Sequence, residues 1–534
     1  MPLILILLGA AALRLLFLDY SHFQGDEIKA LYPPGARFPD FLLAQKKGPV
    51  QFLITRMVLA LTGGYVEWQT RLPFSLASLL SVYVASRLVR EEFGRQPALL
   101  GAALIGSCGL LVAFGRIVQY QAICMLLVLL AAHSLFRALR LGTPRLLYPG
   151  LICYGLALLT HYDALTFAPT LALLLIIAAR KRAKPGRGYF GHFSLAGAIA
   201  LCLVSLFYLP YVRQPFFPLI SDYLLHRVAA GQGMRTFTAT YELVGLYLPP
   251  FYLLLAIPFL VIGAIDAIRR RGMPEGLLIP LWFVTTFAFY MLPGGDPRSH
   301  VYNYFLPGLI LVALGIDRVI GPKVPLILTL SPDRERGPER DLLSPAGGDT
   351  GRHPKRDLLS PAGGEDKGEG GSLAPALTAA AWAVILVCAG VTYYMVVDHT
   401  VEHPWEAKTV LGYELPNLVS KRVEGVFGFP YRRGLDQIGA LVRSGRLQGS
   451  FNSNERDVMA DYYFHAPRSG RPDYYFFVLR PLSLDRELPA IVARSYRRIG
   501  TISERGRPSI EIYEAPWHAA PARGEPHDPV TDRP

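Results

Sequence analysis

A polar loop at residues 21–49 holds the first side chains that could do chemistry, Asp26 and Glu27, a few residues beyond an apolar run. Carboxylates at the mouth of a membrane helix must be paired or face water, because burying a bare charge in lipid is costly. Two interpretations remain open at this point. The pair either marks the end of a membrane span, or it supplies a general base that takes a proton from a reacting hydroxyl.

The composition identifies a polytopic membrane protein. Of 534 residues, 51% are hydrophobic and 18% are charged, whereas soluble domains carry about a quarter charged residues. The apolar residues form runs of roughly 17–25, the length that crosses a bilayer. The net charge of +13 does not indicate a nucleic-acid partner, because Lys and Arg concentrate in short loops between apolar runs. The five cysteines lie inside apolar runs without metal-ligand spacing and are interpreted as small core residues.

The charge distribution predicts a topology of eleven transmembrane helices. The predicted spans are 2–18, 72–90, 98–115, 119–137, 146–163, 165–181, 192–213, 241–268, 276–293, 301–320 and 373–397. Basic clusters follow the second, fourth, sixth, eighth and tenth spans. The positive-inside rule therefore predicts a cytoplasmic N-terminus in a cell membrane, with the loop 19–71 and everything after residue 397 outside. The first run lacks a basic n-region and a cleavage site, so we interpret it as a retained helix.

The composition also divides the chain. Residues 1–320 form the membrane core with the outer loop 19–71, and residues 373–397 form the last span. Between them, 321–372 is a low-complexity cytoplasmic insert in which the phrase RDLLSPAGG occurs twice. Residues 398–518 alternate predicted helices (434–447, 455–464, 484–494) and strands (449–453, 473–479, 496–503, 509–513), which indicates a small extracytoplasmic α/β domain. Residues 519–534 are predicted to be a frayed end.

Cationic side chains near the predicted outer face could bind a departing phosphate, because Arg and Lys donate charge-assisted hydrogen bonds. The candidates are Lys47, Arg71, Arg116, Arg298 and His300. For Arg71 and Arg116 the alternative is an interface anchor that snorkels to lipid headgroups. Arg298 lies in the polar loop GGDPRSH among aromatic residues, where an anchoring role is the weaker interpretation.

The order and common outward side of these motifs resemble GT-C-type membrane glycosyltransferases. The most similar group comprises the polyprenyl-phosphate-sugar-dependent enzymes, which include protein mannosyltransferases, aminoarabinose transferases and RgtA/B/C/D-like enzymes. The resemblance covers roughly residues 1–320. It is carried by Gly25-Asp26-Glu27, Lys47-Gly48-Pro49, Trp68, Arg71-Leu72-Pro73, Arg116, Tyr120-Gln121, Leu158-Leu159-Thr160-His161-Tyr162, Pro297-Arg298, Tyr304 and Pro307.

This resemblance implies a GT-C-like helical fold and sugar transfer from a polyprenyl-phosphate donor to an extracytoplasmic acceptor. The acceptor would be an envelope glycan, a lipid or a protein. The resemblance gives Asp26 the role of the base, with Glu27 as its neighbour, and assigns the cations to the donor phosphate. No cofactor is implied.

One segment departs from the family pattern. Many relatives carry an acidic residue near Gln121, but the segment here reads QYQ, and Asp163 is the candidate to take that place. We expect Gln121, His161, Tyr162 and Asp163 to contact acceptor or sugar. The alternatives are a hydrogen-bonded helix-end histidine for His161 and a helix cap for Asp163. The missing acid leads us to predict no metal.

Two other classes of protein compete with the transferase. A transporter or flippase of lipid-linked sugars would be expected to show two related halves with interrupted helices. No such internal symmetry is evident in the sequence, and the polar groups concentrate on one side of the predicted membrane. A purely structural envelope protein is the remaining alternative.

Overall fold

The computed structural model describes most of the chain. The described residues are 1–181, 187–215, 217–218, 222, 233–248, 250–291, 298–320, 374–400, 402, 408–410, 413–415, 427–483 and 485–518. The predicted insert 321–372 and the predicted frayed end 519–534 lie outside them. Predictions about those two segments therefore stay predictions.

Between residues 1 and 392, the described part of the chain is mainly helical, with many long apolar helices and a few short ones. In order they are α1 Pro2–Leu15, α2 Gly25–Ile28, α3 Asp40–Leu43, α4 Val50–Thr62, α5 Glu67–Phe93, α6 Arg95–Ser107, α7 Gly109–Gly115, α8 Tyr120–Leu141, α9 Leu147–Thr160, α10 Ala168–Lys181, α11 Arg187–Val212, α12 Gly233–Gly245, α13 Pro250–Arg271, α14 Leu278–Met291, α15 Tyr302–Ile320 and α16 Ala374–Thr392. Short 3₁₀ turns precede four of them, at Pro144–Leu146, Tyr162–Phe167, Glu275–Leu277 and Arg298–Val301, and a π-helical turn, Tyr393–Val397, follows α16.

Within the described residues, six helical segments are long and apolar enough to cross a membrane. The pair α6 and α7 adds a seventh if it is counted as one span bent by 62°. Helices α1 and α4 are apolar but shorter, as is the segment Glu275–Met291. The predicted helical membrane fold is therefore present, whereas the predicted count of eleven spans is not confirmed.

Apolar side chains point both into the bundle and away from it. Leu110, Leu129 and Leu311 are fully buried in one core, whereas Leu206 and Leu386 are about 70% exposed. Exposed leucines on long apolar helices are typical of a lipid-facing surface, because lipid tails rather than water would contact them. Some helix faces are thus buried in the bundle, and others are left for lipid.

Ion pairs connect the helices at one end of the bundle. Arg271 Nη2 at the end of α13 lies 2.8 Å from Glu92 of α5, and Arg270 Nη2 lies 2.6 Å from Asp317 of α15. Arg140 of α8 pairs with Glu91 at the same end. These pairs join four helices at the end that the charge distribution assigns to the cytoplasm. The candidate catalytic side chains lie at the opposite helix ends.

The described residues of the tail form a four-stranded sheet, a separate two-stranded pair and three short helices. Its elements are β1 Lys408–Val410, β2 Tyr413–Leu415, α17 Leu435–Arg443, β3 Phe451–Ser453, α18 Asp457–Phe464, β4 Tyr474–Val478, α19 Ala490–Ser495, β5 Arg497–Glu504 and β6 Arg507–Glu514. The sheet order is β3-β4-β6-β5, with β3 parallel to β4 and the other pairs antiparallel, and β1 pairs with β2 separately. Every residue of β4 is buried, as its run of aromatic residues predicts. The strand and hairpin predictions for residues 449–513 are confirmed, and the helix predicted at 484–494 is shorter than expected.

Candidate active site

Glu27 organises the loop 19–71. It lies in the four-residue helix α2, where its side chain caps the backbone N–H of Gln24 at 3.0 Å. Its other oxygen accepts the backbone N–H of Val118 at 3.0 Å, just before α8. Glu27 is fully buried, and a buried carboxylate is tolerated only when its lone pairs are satisfied. It therefore ties the loop to the start of α8.

Arg71 is the ion partner of Glu27. Both side chains are completely buried, and the Arg71 Nη2 to Glu27 Oε2 distance is 2.8 Å. The guanidinium also donates to the backbone oxygens of Leu18, Ser21 and His22 at 2.8–3.1 Å. Because these acceptors occupy its donors, Arg71 holds the polypeptide between α1 and α2 in place.

Arg116, like Arg71, is bonded to backbone carbonyls. Its guanidinium donates to the carbonyls of Leu13, Leu16 and Phe17 at 2.8–3.0 Å. These are carbonyls at and beyond the C-terminus of α1, which lack partners inside the helix. Arg116 thus caps α1, and the ring of Tyr20 lies 4.8 Å from its guanidinium. Neither Arg71 nor Arg116 is an exposed anchor at the lipid surface, since both are fully buried.

Asp26 has different surroundings from its neighbour. Its side chain is 47% exposed and lies 3.8 Å from Lys29, one helical turn further on. A carboxylate in this position can meet an incoming hydroxyl, whereas Glu27 cannot without breaking its ion pair. The loop geometry therefore separates a reachable carboxylate from a structural one.

A second cluster surrounds Asp163 in the 3₁₀ turn between α9 and α10. This side chain is fully buried, and His300 Nδ1 lies 2.8 Å from its Oδ2. The hydroxyls of Tyr290 and Tyr302 donate to it at 2.8 and 3.0 Å, and the amide of Asn303 donates at 3.1 Å. Asp163 is thus the hub of a hydrogen-bond network rather than a simple helix cap.

Aromatic stacking connects this hub to the loop. The rings of Tyr120 and His161 stack 3.7 Å apart at an interplanar angle of 7°. The ring of Tyr162 lies 3.9 Å from His161, and the Tyr120 hydroxyl lies 3.3 Å from His300 Nδ1. Lys47 Nζ lies 5.0 Å from the Tyr120 ring centroid, within cation–π range. The outer loop and three helix ends therefore meet at Tyr120.

Three buried glutamines leave hydrogen-bonding groups without a partner. Gln121 Nε2 donates to Gln119 Oε1 at 2.7 Å. Gln121 Oε1, Gln119 Nε2 and both polar atoms of Gln51 find no hydrogen-bond partner among the described residues. Orphaned buried amides are costly and call for a bound group or water. The unpartnered amides at the starts of α4 and α8 are therefore suited to bind a ligand rich in hydroxyls.

Three side chains here could hold a metal ion by geometry. The candidate ligand atoms of His161, Asp163 and His300 all lie within 4.8 Å of one another. However, Asp163 already accepts from Tyr290, Tyr302 and Asn303, and these donors compete with a cation for its oxygens. The arrangement fits a hydrogen-bonded hub better than a metal centre, and the absence of a metal stays a prediction.

The tail packs onto the same loop. His22 N donates to Tyr431 O at 3.0 Å, and Phe23 N donates to the Tyr463 hydroxyl at 2.6 Å. Arg433 N donates to His22 Nδ1 at 3.2 Å, so His22 Nε2 carries the hydrogen that faces Asp436 at 2.9 Å. Partial burial raises the pKa of Asp436, but the His22 bond and the nearby Arg432 outweigh it and lower the pKa to about 2. The tail therefore helps to fix the loop that bears Asp26.

The predicted site residues fall into three groups. The structure brings together Lys47, His161, Tyr162, Asp163 and His300, and Gln121 follows Tyr120 at the start of α8, bonded to Gln119. It places Glu27 with Arg71 and Arg116 in the neighbouring loop support, where Asp26 is the half-exposed neighbour of Glu27. Arg298 begins the 3₁₀ turn that carries His300, and its side chain lies outside the described part of the chain.

Sequence reasoning missed Tyr290, Tyr302 and Asn303, and it also missed Arg14, which is buried and donates to Ser78 and Gly106. Three polar residues in YNYF at the start of an apolar run were the available signal.

Comparisons with known proteins show what the chain is similar to. Residues 46–208 match the family described as dolichyl-phosphate-mannose-protein mannosyltransferase. YycA of Bacillus subtilis (strain 168), assigned as a mannosyltransferase, is 28% identical over 232 residues, which are 39% of this chain and 33% of YycA. YkcB of the same organism, with the same assignment, is 27% identical over 197 residues, 34% of this chain and 27% of YkcB. The match thus spans a third or less of these curated relatives.

The fold is similar to that of a solved membrane protein structure. The crystal structure of ArnT from Cupriavidus metallidurans bound to undecaprenyl phosphate aligns with 97% of this chain and 99% of its own, at a TM-score of 0.52 and 13% identity. The resemblance to GT-C-type membrane glycosyltransferases that the motifs indicate is confirmed by the family match and by this fold.

Proposed function

We propose that the protein is a membrane glycosyltransferase that moves a sugar from a polyprenyl-phosphate donor to an extracytoplasmic acceptor. The observation that carries the proposal is the meeting of Lys47, Tyr120, His161 and His300 beside the loop of Asp26. A cation, aromatic faces and a reachable carboxylate are the groups that such a transfer needs. The family match and the ArnT fold, whose crystal form holds undecaprenyl phosphate, support a lipid-phosphate donor.

Asp26 is the general base in this mechanism. The acceptor hydroxyl oxygen attacks the anomeric carbon of the donor sugar, and the bond from that carbon to the phosphate oxygen breaks. The hydroxyl proton passes to the Asp26 carboxylate, and polyprenyl phosphate leaves with the bonding electrons. Proton transfer of this kind is worth roughly 10²–10⁴ in rate. Glu27 positions its neighbour through the ion pair with Arg71.

Lys47, Arg298 and His300 bind the donor phosphate. The phosphate gains negative charge as the sugar departs, so fixed cations stabilise the transition state more than the ground state. Lys47 and His300 flank Tyr120, and Arg298 precedes His300 by two residues. We assign Arg71 and Arg116 to positioning rather than to the phosphate. The guanidinium of Arg71 is bonded to Glu27 and the loop backbone, and both terminal nitrogens of Arg116 are bonded to carbonyls at the end of α1.

The sugar and acceptor lie against the polar lining between these groups. The orphaned amides of Gln51, Gln119 and Gln121 support this placement, since sugar hydroxyls both donate and accept hydrogen bonds. Tyr162 and His161 supply aromatic faces beside them. Asp163 acts through His300 by holding its ring.

The topology belongs to the same proposal. Eleven crossings with the N-terminus in the cytoplasm would place the loop 19–71 and the tail 398–518 outside the cell membrane. Support comes from the charge distribution and from the gathering of the site residues at one set of helix ends, opposite the Glu91, Glu92 and Asp317 ion pairs.

A transporter of lipid-linked sugars is the alternative. It would be expected to place its polar binding groups near the middle of the membrane between related halves. The cluster here instead lies at helix ends, at the turn between α9 and α10 and the turn before α15. The family match and the ArnT fold do not favour transport.

A deletion strain tests the proposal. Mass spectrometry should show one sugar missing from the envelope glycans and the matching polyprenyl-phosphate sugar accumulating. The parent chain should restore the sugar, and the Asp26→Asn chain should not. An unchanged set of envelope glycans and lipid-linked sugars would contradict the proposal.

A further inference from the structure

A second polar cavity lies in the tail, apart from the cluster around Tyr120. It has a volume of about 340 Å³ and is lined by five arginines and two glutamates. The arginines are Arg432, Arg433, Arg480, Arg505 and Arg507. They come from three separate segments, namely the residues before α17, the second residue after β4, and the turn between β5 and β6 with the first residue of β6. Folding therefore concentrates positive charge that is dispersed along the sequence.

Arg433 is the buried member of this group. Its side chain is 5% exposed and pairs with Glu402 at 2.5 Å through Nη1. Its Nε donates to Arg480 O at 2.9 Å. Its Nη2 finds no hydrogen-bond partner among the described residues. A buried guanidinium N–H without an acceptor is costly, so its retention beside a cavity points to an anionic ligand.

The glutamates do not neutralise the cavity. Glu402 faces Arg433, and Glu504 lies 3.5 Å from Arg432 Nε. The lining has five arginines and two carboxylates, so three arginines are in excess. Arginines arranged around one space match a phosphate group, which carries more charge and more acceptor oxygens than a carboxylate.

The cavity also lies beside the outer ends of two membrane helices. Arg432 Nη1 donates to the carbonyl of Asp19, a few residues beyond α1, at 2.9 Å. Arg505 Nη1 donates to the carbonyl of His399, just after the π-helical turn that follows α16, at 2.6 Å. A ligand there would be at the level where lipid headgroups and the protein meet.

We propose that this cavity binds a phosphate group, as a second anion site distinct from the donor phosphate at Lys47. The group is either the phosphate of a lipid headgroup or a soluble phosphate. The proposal does not depend on the transferase activity, because it follows from the lining and from the unpartnered nitrogen of Arg433.

Binding to the purified full-length chain in detergent tests this site. The probes are inorganic phosphate, dihexanoyl phosphatidic acid, dihexanoylglycerol and acetate. Their binding is measured by calorimetry and by the shift of the melting temperature. All measurements are made in the Lys47→Ala background, which weakens the donor site. We expect one or both phosphate probes to bind, and dihexanoylglycerol and acetate to bind at least about tenfold more weakly. Binding of phosphatidic acid alone identifies a lipid source, and equal binding of inorganic phosphate identifies a soluble one.

The variants locate the binding. Arg505→Glu with Arg507→Glu reverses two exposed charges of the turn between β5 and β6 and should weaken phosphate binding by about tenfold or more. Arg494→Glu, an equally exposed change on α19 outside the cavity lining, should leave it unchanged. Arg433→Lys keeps the buried charge and should weaken it in part. The proposal is overturned if no phosphate probe binds, if acetate binds as tightly as phosphate, or if the double variant binds like the Arg494→Glu control.

Discussion

At the residue scale, two adjacent carboxylates have different surroundings. Glu27 is buried in an ion pair with Arg71 and two backbone N–H contacts, whereas Asp26 is about half exposed. The same contrast separates the cations. Arg71 and Arg116 hold backbone carbonyls, but Lys47 lies over the ring of Tyr120. Burial and bonding partners, rather than residue type, therefore distinguish the residues that hold the loop from those proposed to bind or react with substrate.

The Glu27 ion pair should be needed for stability. Glu27→Gln leaves the buried Arg71 charge uncompensated, and breaking such a pair costs about 3–5 kcal/mol. We expect a clearly lower melting temperature and a lower yield of folded protein in detergent. Asp26→Asn is the matched control and should melt like the parent. Equal melting of Glu27→Gln and the parent would mean that the pair does not support the loop.

Lys47 should control donor binding. Lys47→Ala removes the cation beside Tyr120 and should raise the KM for the lipid-phosphate donor by about tenfold and also lower kcat. Lys47→Arg should retain part of the activity. The control is Lys46→Ala, because Lys46 is exposed and adjacent. If both alanine variants show parent kinetics with the donor, Lys47 is not a phosphate ligand.

At the element scale, the loop is positioned by close contact with helix ends. Gly48 packs so tightly against the end of α9 that an added Cβ would lie 2.0 Å from Leu159 O and 3.0 Å from Thr160 O. This contact sets the position of Lys47 relative to His161. The start of α8 is fixed in turn by the Val118 bond to Glu27.

Gly48→Ala should therefore displace the loop. We expect a loss of transfer activity of at least about tenfold, since small misplacements of reacting groups are costly. Gly64→Ala is the matched control, because nothing lies within 4 Å of a Cβ added there. The transfer activity of the two variants is measured under the same conditions. Parent-like transfer by Gly48→Ala would show that the contact does not position Lys47.

The helices and most strands could be predicted from the sequence, because apolar runs and alternation report them directly. The predicted span 119–137 is close to the observed Tyr120–Leu141, and the predicted hairpin matches β5 and β6. The hub of Asp163 could not be predicted, since Tyr290, Tyr302 and Asn303 come from segments more than 120 residues away. Likewise, Asp26 and Glu27 differ in the exposure of their side chains, and the local sequence pattern does not predict this difference.

At the scale of the whole molecule, the candidate site side chains lie at one set of helix ends. Ion pairs connect the helices at the opposite ends. The tail covers the loop at the first set, through His22, Phe23 and Glu67, whose side chain accepts the Tyr463 hydroxyl at 2.9 Å. The arginine-lined cavity of the tail lies beside the same ends. This asymmetry is what a transfer reaction on one side of a membrane requires.

Reporter fusions test the sidedness. A fusion at Gly351 should report the cytoplasm, and one at Gly449, just before β3, should report the exterior. The expectation follows from the basic loops and from an odd number of crossings between the termini. Both fusions reporting the same side would be incompatible with the proposed topology.

The proposed role of Asp26 as the base of a sugar transfer is tested by the rate of that transfer. The lipid-linked sugar that accumulates in the deletion strain is supplied to purified protein, and single-turnover transfer is followed by mass spectrometry. Asp26→Asn keeps the shape and removes the basicity, so transfer should fall roughly 10²-fold or more with an unchanged melting temperature. Asp40→Asn, an exposed acid in the same loop, should transfer at the parent rate. Transfer by Asp26→Asn at the parent rate would contradict the account.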